Sequence, residues 1–370
     1  MHILISNLSG AVDLAQLNEA IPHEEGTNVF EDLTFESCNP GGFTVASFVL
    51  HRPITEYWPD LIYKNRIIIG EGEVVVWEGY IDQVIRSIRP DSFQVNCLGW
   101  CSRLGELGTT TDINVGGGTY KLSTFINSVV LADAALVAES SIIAGTISTS
   151  DWAYNSGTVF SFAPYTSYSD ATEELNKGNN FNYGVWTDKK LNFTAKTSTI
   201  NWLVKTEDCS DLTISPDSET FCNRLYTTWM EGGLYPLHRT DNNTTSQGLY
   251  GIIEKSLSLP GKKHANDAAQ IATTYINEMS VLRASAEFTC SRIYDANGTE
   301  VPLYLVRGGD NVQIVDYLST EETLVAISDI ATFQIKSPQY DHKNASLKIT
   351  PSDFIPSTET RIGQLEATGY

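Results

Sequence analysis

The stretch from residue 66 to residue 101 constrains the fold of this chain more than any other. It contains four segments rich in β-branched and aromatic residues: 67–69, 74–77, 80–88 and 93–98. Gly, Pro and Asp separate these segments, which is typical of strands joined by turns. The sequence therefore predicts a meander of three consecutive strands that buries one face of a small barrel. Nothing in this stretch resembles a catalytic motif.

The same pattern predicts an all-β unit over residues 1–105. Gly41 and Gly42 precede the apolar strand 43–50, and a turn is predicted at 57–60. Composition then changes, because residues 105–118 are rich in Gly and Thr and are predicted to be a linker.

Helical spacing of apolar residues appears next. It predicts a helix over 119–137, with Ser123 or Thr119 as its N-cap. A second helix is predicted over 169–177, with Asp170 as the N-cap. After it, residues 181–195 are predicted to form a β-hairpin.

The second half returns to β structure around one long helix. A strand is predicted over 223–229, a polar loop over 240–246, and a helix over 263–279 with alanines on one side. A turn is predicted at 295–298, and residues from 351 on are predicted to form a loose tail. Four further strands are predicted over 301–306, 311–316, 324–333 and 346–350.

The chain is strongly acidic. Asp and Glu number 45 against 24 Lys and Arg in 370 residues, for a formal net charge of −21. This charge argues against a grip on duplex DNA, which requires clustered Lys and Arg. Two interpretations stay open: a solvated acidic surface, with or without adaptation to salt, and the lining of a channel along which DNA slides because like charges repel.

Membrane insertion is not expected. No apolar run approaches the roughly 20 residues that span a bilayer. The N-terminal sequence MHILISNLSG lacks the basic start, the long apolar core and the small-residue cleavage site of a secretory signal.

Motifs for catalysis or metal binding are missing. The six histidines occupy dissimilar contexts, without an H-E-x-x-H pair, and there is no G-x-S-x-G elbow. Among the six cysteines only Cys97 and Cys101 are close in sequence, and their spacing is not that of a zinc finger. Both are therefore predicted to be buried thiols. We predict no catalytic, cofactor-binding or metal-binding residues, no cofactor and no enzymatic activity.

An ordered set of motifs resembles a known family. The set comprises G-E-G-E-V-V-V-W-E-G-Y-I-D at 70–82, the strand end C-L-G-W at 97–100, N-R-L-Y at 223–226, S-Q-G-L-Y-G-I-I-E at 246–254, the alanine-rich stretch 265–272, and G-D-N-V-Q-I at 309–314. In this order the motifs resemble those of tail hub proteins of tailed bacteriophages and related viruses, over roughly residues 30–350.

The resemblance implies a β-rich α+β fold with two small tube-type β-barrel domains and inserted α/β segments. The implied domains are a first barrel (1–105), an inserted α/β domain (106–205), a discontinuous second barrel (206–240 plus 300–350), a helix-containing insertion (241–299) and a C-terminal tail (351–370).

The resemblance also implies a role in the virion. Three copies are expected to form a homotrimeric ring at the distal end of the tail, where six barrels match a hexameric tail tube. The implied partners are the tail tube or distal tail protein, the tape measure protein and the tail fibre or tip proteins, with DNA only in transit through the lumen. The chain is expected to be made in the host cytoplasm and to act as a bare connector, because the sequence ends just after the hub portion.

A second function stays open from the sequence. The seven Trp and seventeen Tyr suit carbohydrate stacking as well as barrel cores and subunit interfaces. A β-rich carbohydrate-binding or depolymerising tail protein is therefore the alternative.

Overall fold

A computed structural model of the chain describes residues 1–8, 10, 12–19, 28–88, 91–109, 112–163, 165–210, 212, 215–216, 221–233, 235–281, 284–285, 287–315 and 332–352. These ranges are rich in strands, with short helices between them. None of the helices in the described ranges is long and apolar enough to span a bilayer. The predicted β-rich α+β class is confirmed, whereas the division into barrels stays a prediction.

Seven strands from the first hundred residues form a closed, hydrogen-bonded ring. They are β1 (His2–Ser6), β2 (Asp13–Glu19), β3 (Val29–Cys38), β4 (Gly41–Leu50), β5 (Arg66–Glu71), β6 (Val74–Ile88) and β7 (Asp91–Gly99). Around the ring the order is β1, β2, β3, β4, β7, β6, β5 and back to β1. Only β2 and β3 run parallel. In β1 and β5 buried and less buried side chains alternate, and the isoleucines on the buried face, Ile3, Ile5, Ile67 and Ile69, are fully buried.

The predicted meander of three consecutive strands is confirmed as β5, β6 and β7. Segments 74–77 and 80–88 both lie in the single strand β6. Gly79 between them is not at a turn, because it pairs with Ile67 on one side and Gly99 on the other. A Cβ at Gly79 would lie 2.1 Å from the Leu98 carbonyl oxygen. The glycine therefore permits close packing of two strands.

The middle part of the chain consists of short elements. They are α1 (Ser102–Glu106), β8 (Gly108–Thr109), β9 (Ile113–Asn114), β10 (Thr119–Lys121), α2 (Leu122–Phe125), a π-helical turn (Ile126–Val130), α3 (Ala134–Ser140), β11 (Ile143–Ile147), β12 (Ala153–Asn155), β13 (Val159–Phe160), β14 (Thr166–Ser167), α4 (Tyr168–Asn176), β15 (Phe181–Trp186), a 3-10 turn (Thr187–Lys189) and β16 (Lys190–Ala195). The predicted hairpin over 181–195 is confirmed as β15 and β16.

Two expectations for this part are wrong. The helix predicted over 119–137 is split into β10, α2, the π-helical turn and α3, so neither Thr119 nor Ser123 caps it. Ser123 instead donates its backbone N–H and its hydroxyl to the carboxylate of Asp151, at 2.8 and 2.9 Å. The predicted linker 105–118 contains β8 and β9.

The helix predicted over 169–177 is confirmed as α4, but its cap is different. Ser167, not Asp170, is the N-cap: its side chain accepts a hydrogen bond from the Asp170 backbone N–H at 3.1 Å. Asp170 occupies the first turn, where its charge favours the positive end of the helix dipole.

The second half is built around one long helix. Its elements are β17 (Trp202–Lys205), a 3-10 turn (Thr206–Asp208), β18 (Cys209–Ser210), β19 (Ser215–Pro216), β20 (Arg224–Met230), β21 (Leu237–Asn242), α5 (Thr244–Tyr250), β22 (Glu254–Lys262), α6 (Ala265–Met279), β23 (Ala284–Ser285), β24 (Phe288–Cys290), β25 (Ile293–Asp295), β26 (Glu300–Val301), a 3-10 turn (Leu303–Leu305), β27 (Asn311–Val315), β28 (Thr332–Asp341) and β29 (Ser346–Pro351).

Several predictions for this half are confirmed. The strand over 223–229 is β20, the helix over 263–279 is α6, and the turn at 295–298 joins β25 to β26. The predicted polar loop 240–246 is wrong, since it covers the end of β21 and the start of α5. Much of the predicted strand 301–306 is the 3-10 turn. The predicted strand 324–333 and the predicted tail fall almost wholly outside the described residues.

The late strands form one row that joins the ring. The C-terminal row runs in the order β26, β25, β17, β27, β28, β29, β24 and β18. Its strand β28 also pairs with β3 of the ring, with Tyr340 opposite Phe35. Buried apolar side chains of the ring and the row form one continuous cluster, the first core.

A separate three-stranded sheet, β21–β20–β22, packs on α6. With α6 and the middle part of the chain it encloses the second core, which includes Phe125, Tyr154, Leu225 and Ile271. Because β20 pairs with β22, residues 224–230 share a sheet with 254–262. The domain boundaries predicted from the sequence stay a prediction.

Candidate assembly surface

Two of the sequence motifs meet on the three-stranded sheet. Arg224 and Tyr226 of N-R-L-Y lie on β20, and Glu254, the last residue of the S-Q-G-L-Y-G-I-I-E motif, starts β22. The Glu254 carboxylate accepts hydrogen bonds from the Arg224 guanidinium at 2.8 Å and from the Tyr226 hydroxyl at 3.1 Å. The bond to Glu254 raises the pKa of Arg224 further above its ordinary value. The motif residues therefore form one charged cluster on the solvent side of this sheet.

Asn223 fixes the loop that precedes β22. Its fully buried side chain donates to the Gly251 carbonyl at 2.6 Å and accepts from the Ile253 backbone N–H at 2.8 Å. Gly251 has a φ of 75°, a conformation that favours glycine. The first residue of N-R-L-Y thus determines the path of residues 251–253.

Helix α5 is attached to the end of α6 by side-chain hydrogen bonds. Asn243 caps α5 by accepting from the Ser246 backbone N–H at 3.0 Å, and its amide donates to the Ser280 hydroxyl at 2.7 Å. The Ser246 hydroxyl donates to the Ser280 carbonyl at 2.9 Å. These bonds hold a short helix that would be marginal in isolation.

This attached segment carries exposed apolar side chains. We call Leu249, Tyr250, Ile252 and Ile253 the apolar ridge; Leu249 and Ile252 are 65% and 55% exposed. Single exposed apolar residues are common on protein surfaces, but neighbouring ones on a well-anchored loop are typical of interfaces. The apolar ridge is therefore a candidate contact surface.

A second candidate contact surface is the outer part of the hairpin β6–β7. Strand β5 pairs with β6 only as far as Tyr80, whereas β7 pairs with β6 as far as Ile88. The part of β6 beyond Tyr80 carries Ile85 and Ile88, which are 41% and 75% exposed. The hairpin therefore extends past the end of its neighbour β5.

Arg307 joins the ring to the C-terminal row. Its partly buried guanidinium donates to the carbonyls of Val75, at 3.2 Å, and Val76, and lies 4.6 Å from the ring centroid of Phe43. Burial lowers the pKa of this guanidinium to about 10. Because a planar guanidinium offers its donors in a fixed geometry, the contact orients the two parts relative to each other.

Asp310 of the G-D-N-V-Q-I motif supports this junction. Its carboxylate accepts from the Arg307 backbone N–H at 2.9 Å and from the Trp202 indole N–H at 2.7 Å. Burial raises the pKa of Asp310. The motif residue thus orders the turn before β27 and ties that turn to β17.

Asn39 brings the middle part of the chain to the same junction. Its amide donates to Asn182 on β15 at 2.8 Å and to Gln334 on β28 at 3.4 Å. Nearby, the Gly308 backbone N–H donates to the Ser37 hydroxyl at 3.1 Å. A Cβ on Gly308 would lie 2.5 Å from the carbonyl carbon of Cys38, so only glycine allows this approach. Hydrogen bonds at this junction therefore connect the seven-strand ring, the middle part of the chain and the C-terminal row.

Asp267 anchors the middle part to α6. Its fully buried carboxylate accepts from the Trp152 indole N–H at 3.0 Å, from the backbone and side-chain N–H groups of Asn155 at 2.8 and 2.7 Å, and from the Thr158 hydroxyl. A buried carboxylate is tolerated when its oxygens are saturated by donors. The sequence had no feature that singled out Asp267 or Arg307, whereas Asn223 belongs to the N-R-L-Y motif.

The cysteines do not assemble a metal site in the described residues, where no group of three His, Cys, Asp or Glu side chains could hold a metal ion. Cys97 is buried in the first core, as predicted for an apolar thiol. Cys101 is partly exposed, unlike the predicted buried thiol, and its thiol donates to the Phe43 carbonyl at 3.1 Å. All six thiols are free.

Sequence comparisons do not identify the chain, since no protein-family model and no curated protein matches it. Solved structures do match. The 43 kDa tail protein of prophage MuSo2 from Shewanella oneidensis is 11% identical, with a TM-score of 0.60 over 95% of this chain and 98% of that one. A tail protein from Neisseria meningitidis MC58 is 11% identical, with a TM-score of 0.61 over 97% and 99%.

A third match is prophage tail protein gp18 from Listeria monocytogenes EGD-e. It is 11% identical, with a TM-score of 0.61 over 99% of both chains. Identities this low establish likeness of fold alone. The resemblance predicted from the motifs is thus confirmed at the level of the fold: this chain, over nearly its whole length, is folded like phage tail proteins.

Proposed function

We propose that this chain is a structural protein of a viral tail and forms its tip or baseplate hub. One observation carries the proposal: the fold matches three tail proteins, two of them from prophages, over at least 95% of this chain. We assign this chain no catalytic residue, cofactor or enzymatic activity.

The proposed hub has two tube-type barrels in each chain. The closed seven-strand ring supports the first barrel, residues 1–105. The C-terminal row supports a second, built mainly from strands after residue 287 together with β17 and β18. Residues 224–279 pack with the middle part, which favours placing them with the insertions. Three chains would then offer six barrels to a hexameric tube, which satisfies the symmetry match.

The proposed partners follow from this arrangement. The chain would bind two further copies of itself, the tail tube or distal tail protein on one side, and tail fibre or tip proteins on the other. The tape measure protein and the DNA would pass through the lumen at the distal end of the virion tail. The apolar ridge and the outer part of β6–β7 are the surfaces we propose for protein contacts, since apolar side chains are typical of interface centres.

Light scattering with negative-stain averaging of the purified chain tests the trimer. We expect three times the mass of 40.8 kDa and a three-fold ring with a central hole. Ile252→Asp, which places a charge on the apolar ridge, should dissociate the ring if the ridge is in the interface. Ile62→Asp, at a residue 42% exposed outside the ridge, is the matched control.

Two results would count against this proposal. A monomer at every concentration, with and without tail tube protein, would overturn the trimeric hub. A monomer that binds or cleaves glycans would favour the carbohydrate-binding alternative.

A further inference from the structure

Two cysteines far apart in sequence face each other in the C-terminal row. Cys209 on β18 is directly opposite Cys290 on β24, and the strands are antiparallel. The Ser291 backbone N–H donates to the Asp208 carbonyl at 3.0 Å, so the neighbouring pair 208 and 291 is a hydrogen-bonded pair. Because such pairs alternate along an antiparallel ladder, Cys209 and Cys290 form a non-hydrogen-bonded pair.

This position suits a disulfide. The Cα atoms of a non-hydrogen-bonded pair are about 4.5 Å apart, inside the range of about 4.4–6.8 Å that disulfides require. Side chains of directly opposite residues lie on the same face of a sheet, so the two thiols are neighbours. Cys209 is partly exposed and Cys290 is 1% exposed, and both pack in the first core. A reagent in solution therefore reaches Cys209 first.

We propose that Cys209 and Cys290 are a modification site: a dithiol that a small-molecule disulfide oxidises to a cross-strand disulfide. The Cys209 thiolate attacks one sulfur of the small disulfide, forms a mixed disulfide and releases one small thiol. The Cys290 thiolate then attacks the Cys209 sulfur and releases the second small thiol. The protein loses two protons and two electrons, which convert the small disulfide into two thiols.

The surroundings make this reaction slow near neutral pH. Burial, and then the Asp208 carboxylate, raise the pKa of the Cys209 thiol to about 11. Burial raises that of Cys290 to about 12. The Asp208 carboxylate also accepts from the Tyr294 hydroxyl at 2.9 Å. Arg292 interacts electrostatically with Asp208, and the Lys205 ammonium lies 4.7 Å from the ring centroid of Tyr294. Since only the thiolate reacts, the rate should rise about tenfold per pH unit below these pKa values.

The disulfide would fasten a weakly held segment. Strand β18 has two residues, and its described strand partner is β24. A disulfide between Cys209 and Cys290 would link β18 covalently to β24. If the chain is a virion protein, as proposed above, the thiols would stay reduced during assembly in the cytoplasm and oxidise after release. Only this timing depends on the proposed function.

The test uses the full chain with oxidised glutathione at pH 7.5 and pH 9, followed by alkylation and peptide mass mapping. We expect a peptide linked through Cys209 and Cys290, loss of two alkylatable thiols, and formation about 30-fold faster at pH 9. Cys290→Ala should instead accumulate a glutathione adduct on Cys209. Asp208→Asn should speed the reaction at pH 7.5.

The thiols of Cys38 and Cys101 provide the internal control. Both border Gly41, where a Cβ would lie 2.7 Å from the Cys38 sulfur and 3.7 Å from the Cys101 sulfur. The double variant Cys38→Ala/Cys101→Ala should still form the 209–290 link. A link that maps only to 38 and 101, or no link at pH 9 in the folded wild-type chain, would overturn the proposal whatever the oligomeric state.

Discussion

The two cores of this protein are stabilised in different ways. The first core consists of buried side chains of the seven-strand ring and the C-terminal row. Apolar side chains that alternate along the strands, such as Phe48 and Val95, fill it. The second core lies between short strands and helices that are held in place by buried polar side chains such as Asp267 and Asn223. Alternation specifies a strand pattern from sequence alone, whereas a polar anchor depends on donors that come from distant residues.

The largest expected effect is on the first core. Phe48→Ala removes a fully buried ring from β4 and should lower the free energy of unfolding by about 4 kcal/mol. Hydrogen exchange should show the greater loss of protection in β4 and β7 and the smaller loss in α6. Tyr57→Ala, at a residue that is 77% exposed, is the control and should have little effect. Equal loss of protection in β4 and α6 would mean that the two cores unfold together.

Asp267→Ala is the corresponding change in the second core. It leaves buried donors from Trp152, Asn155 and Thr158 without an acceptor. The free energy of unfolding should therefore fall by about 3 kcal/mol. Denaturant unfolding followed by tryptophan fluorescence measures it. The control is Asp170→Ala, another acidic residue in a first helical turn, but on the exposed side of α4. An equal loss of unfolding free energy in both variants would show that the Asp267 hydrogen bonds do not stabilise the second core.

Asn223→Ala should have a smaller and more local effect. The side chain forms hydrogen bonds with two backbone groups of the loop 251–253. Its loss should lower the free energy of unfolding by about 2 kcal/mol. The Ile253 amide should exchange faster, while amides of β4 keep their protection. Unchanged exchange at Ile253 would show that Gly251 alone determines the loop.

The smallest effect concerns the cap of α3. Asp133 accepts from the Leu136 backbone N–H at 2.7 Å, and this bond lowers the pKa of Asp133. Asp133→Ala should cost about 1 kcal/mol. Because the folded pKa lies below the unfolded one, the cap stabilises the protein above the unfolded pKa and is lost as pH falls through the folded pKa. The difference between wild type and variant should therefore be present at pH 7 and shrink below about pH 4; a constant difference would contradict it.

Strands β4 to β7 were predictable because each has β-branched and aromatic residues bounded by Gly, Pro or Asp, whereas β1, β2 and β3 were covered only by the predicted all-β unit 1–105. The helix predicted over 119–137 was wrong because apolar spacing does not reveal that the chain turns at 131–133 and restarts at the Asp133 cap. Helix α5 was missed since its Thr, Ser and Gly residues are weak helix formers. Hydrogen bonds of Asn243 to Ser280 and to the Ser246 backbone N–H stabilise it.

The junction at Arg307 could not be predicted either, because its partners are distant in sequence. Arg307 follows a 3-10 turn and looks like an ordinary surface arginine, yet its partners are carbonyls of Val75 and Val76 more than two hundred residues earlier. The G-D-N-V-Q-I motif pointed to the right segment, but the role of Asp310 in orienting that turn became evident only from the hydrogen bonds.

The Arg307 contact has a mechanical consequence. The Arg307 guanidinium donates to two adjacent carbonyls and lies against the Phe43 ring, so the contact resists both rotation and separation of the two parts. A torque applied to the seven-strand ring would therefore be transmitted to the C-terminal row. If three chains form the ring proposed above, the Arg307 contact would set the angle between the seven-strand ring and the C-terminal row within each chain. Only the angle between neighbouring chains would depend on contacts that form during assembly.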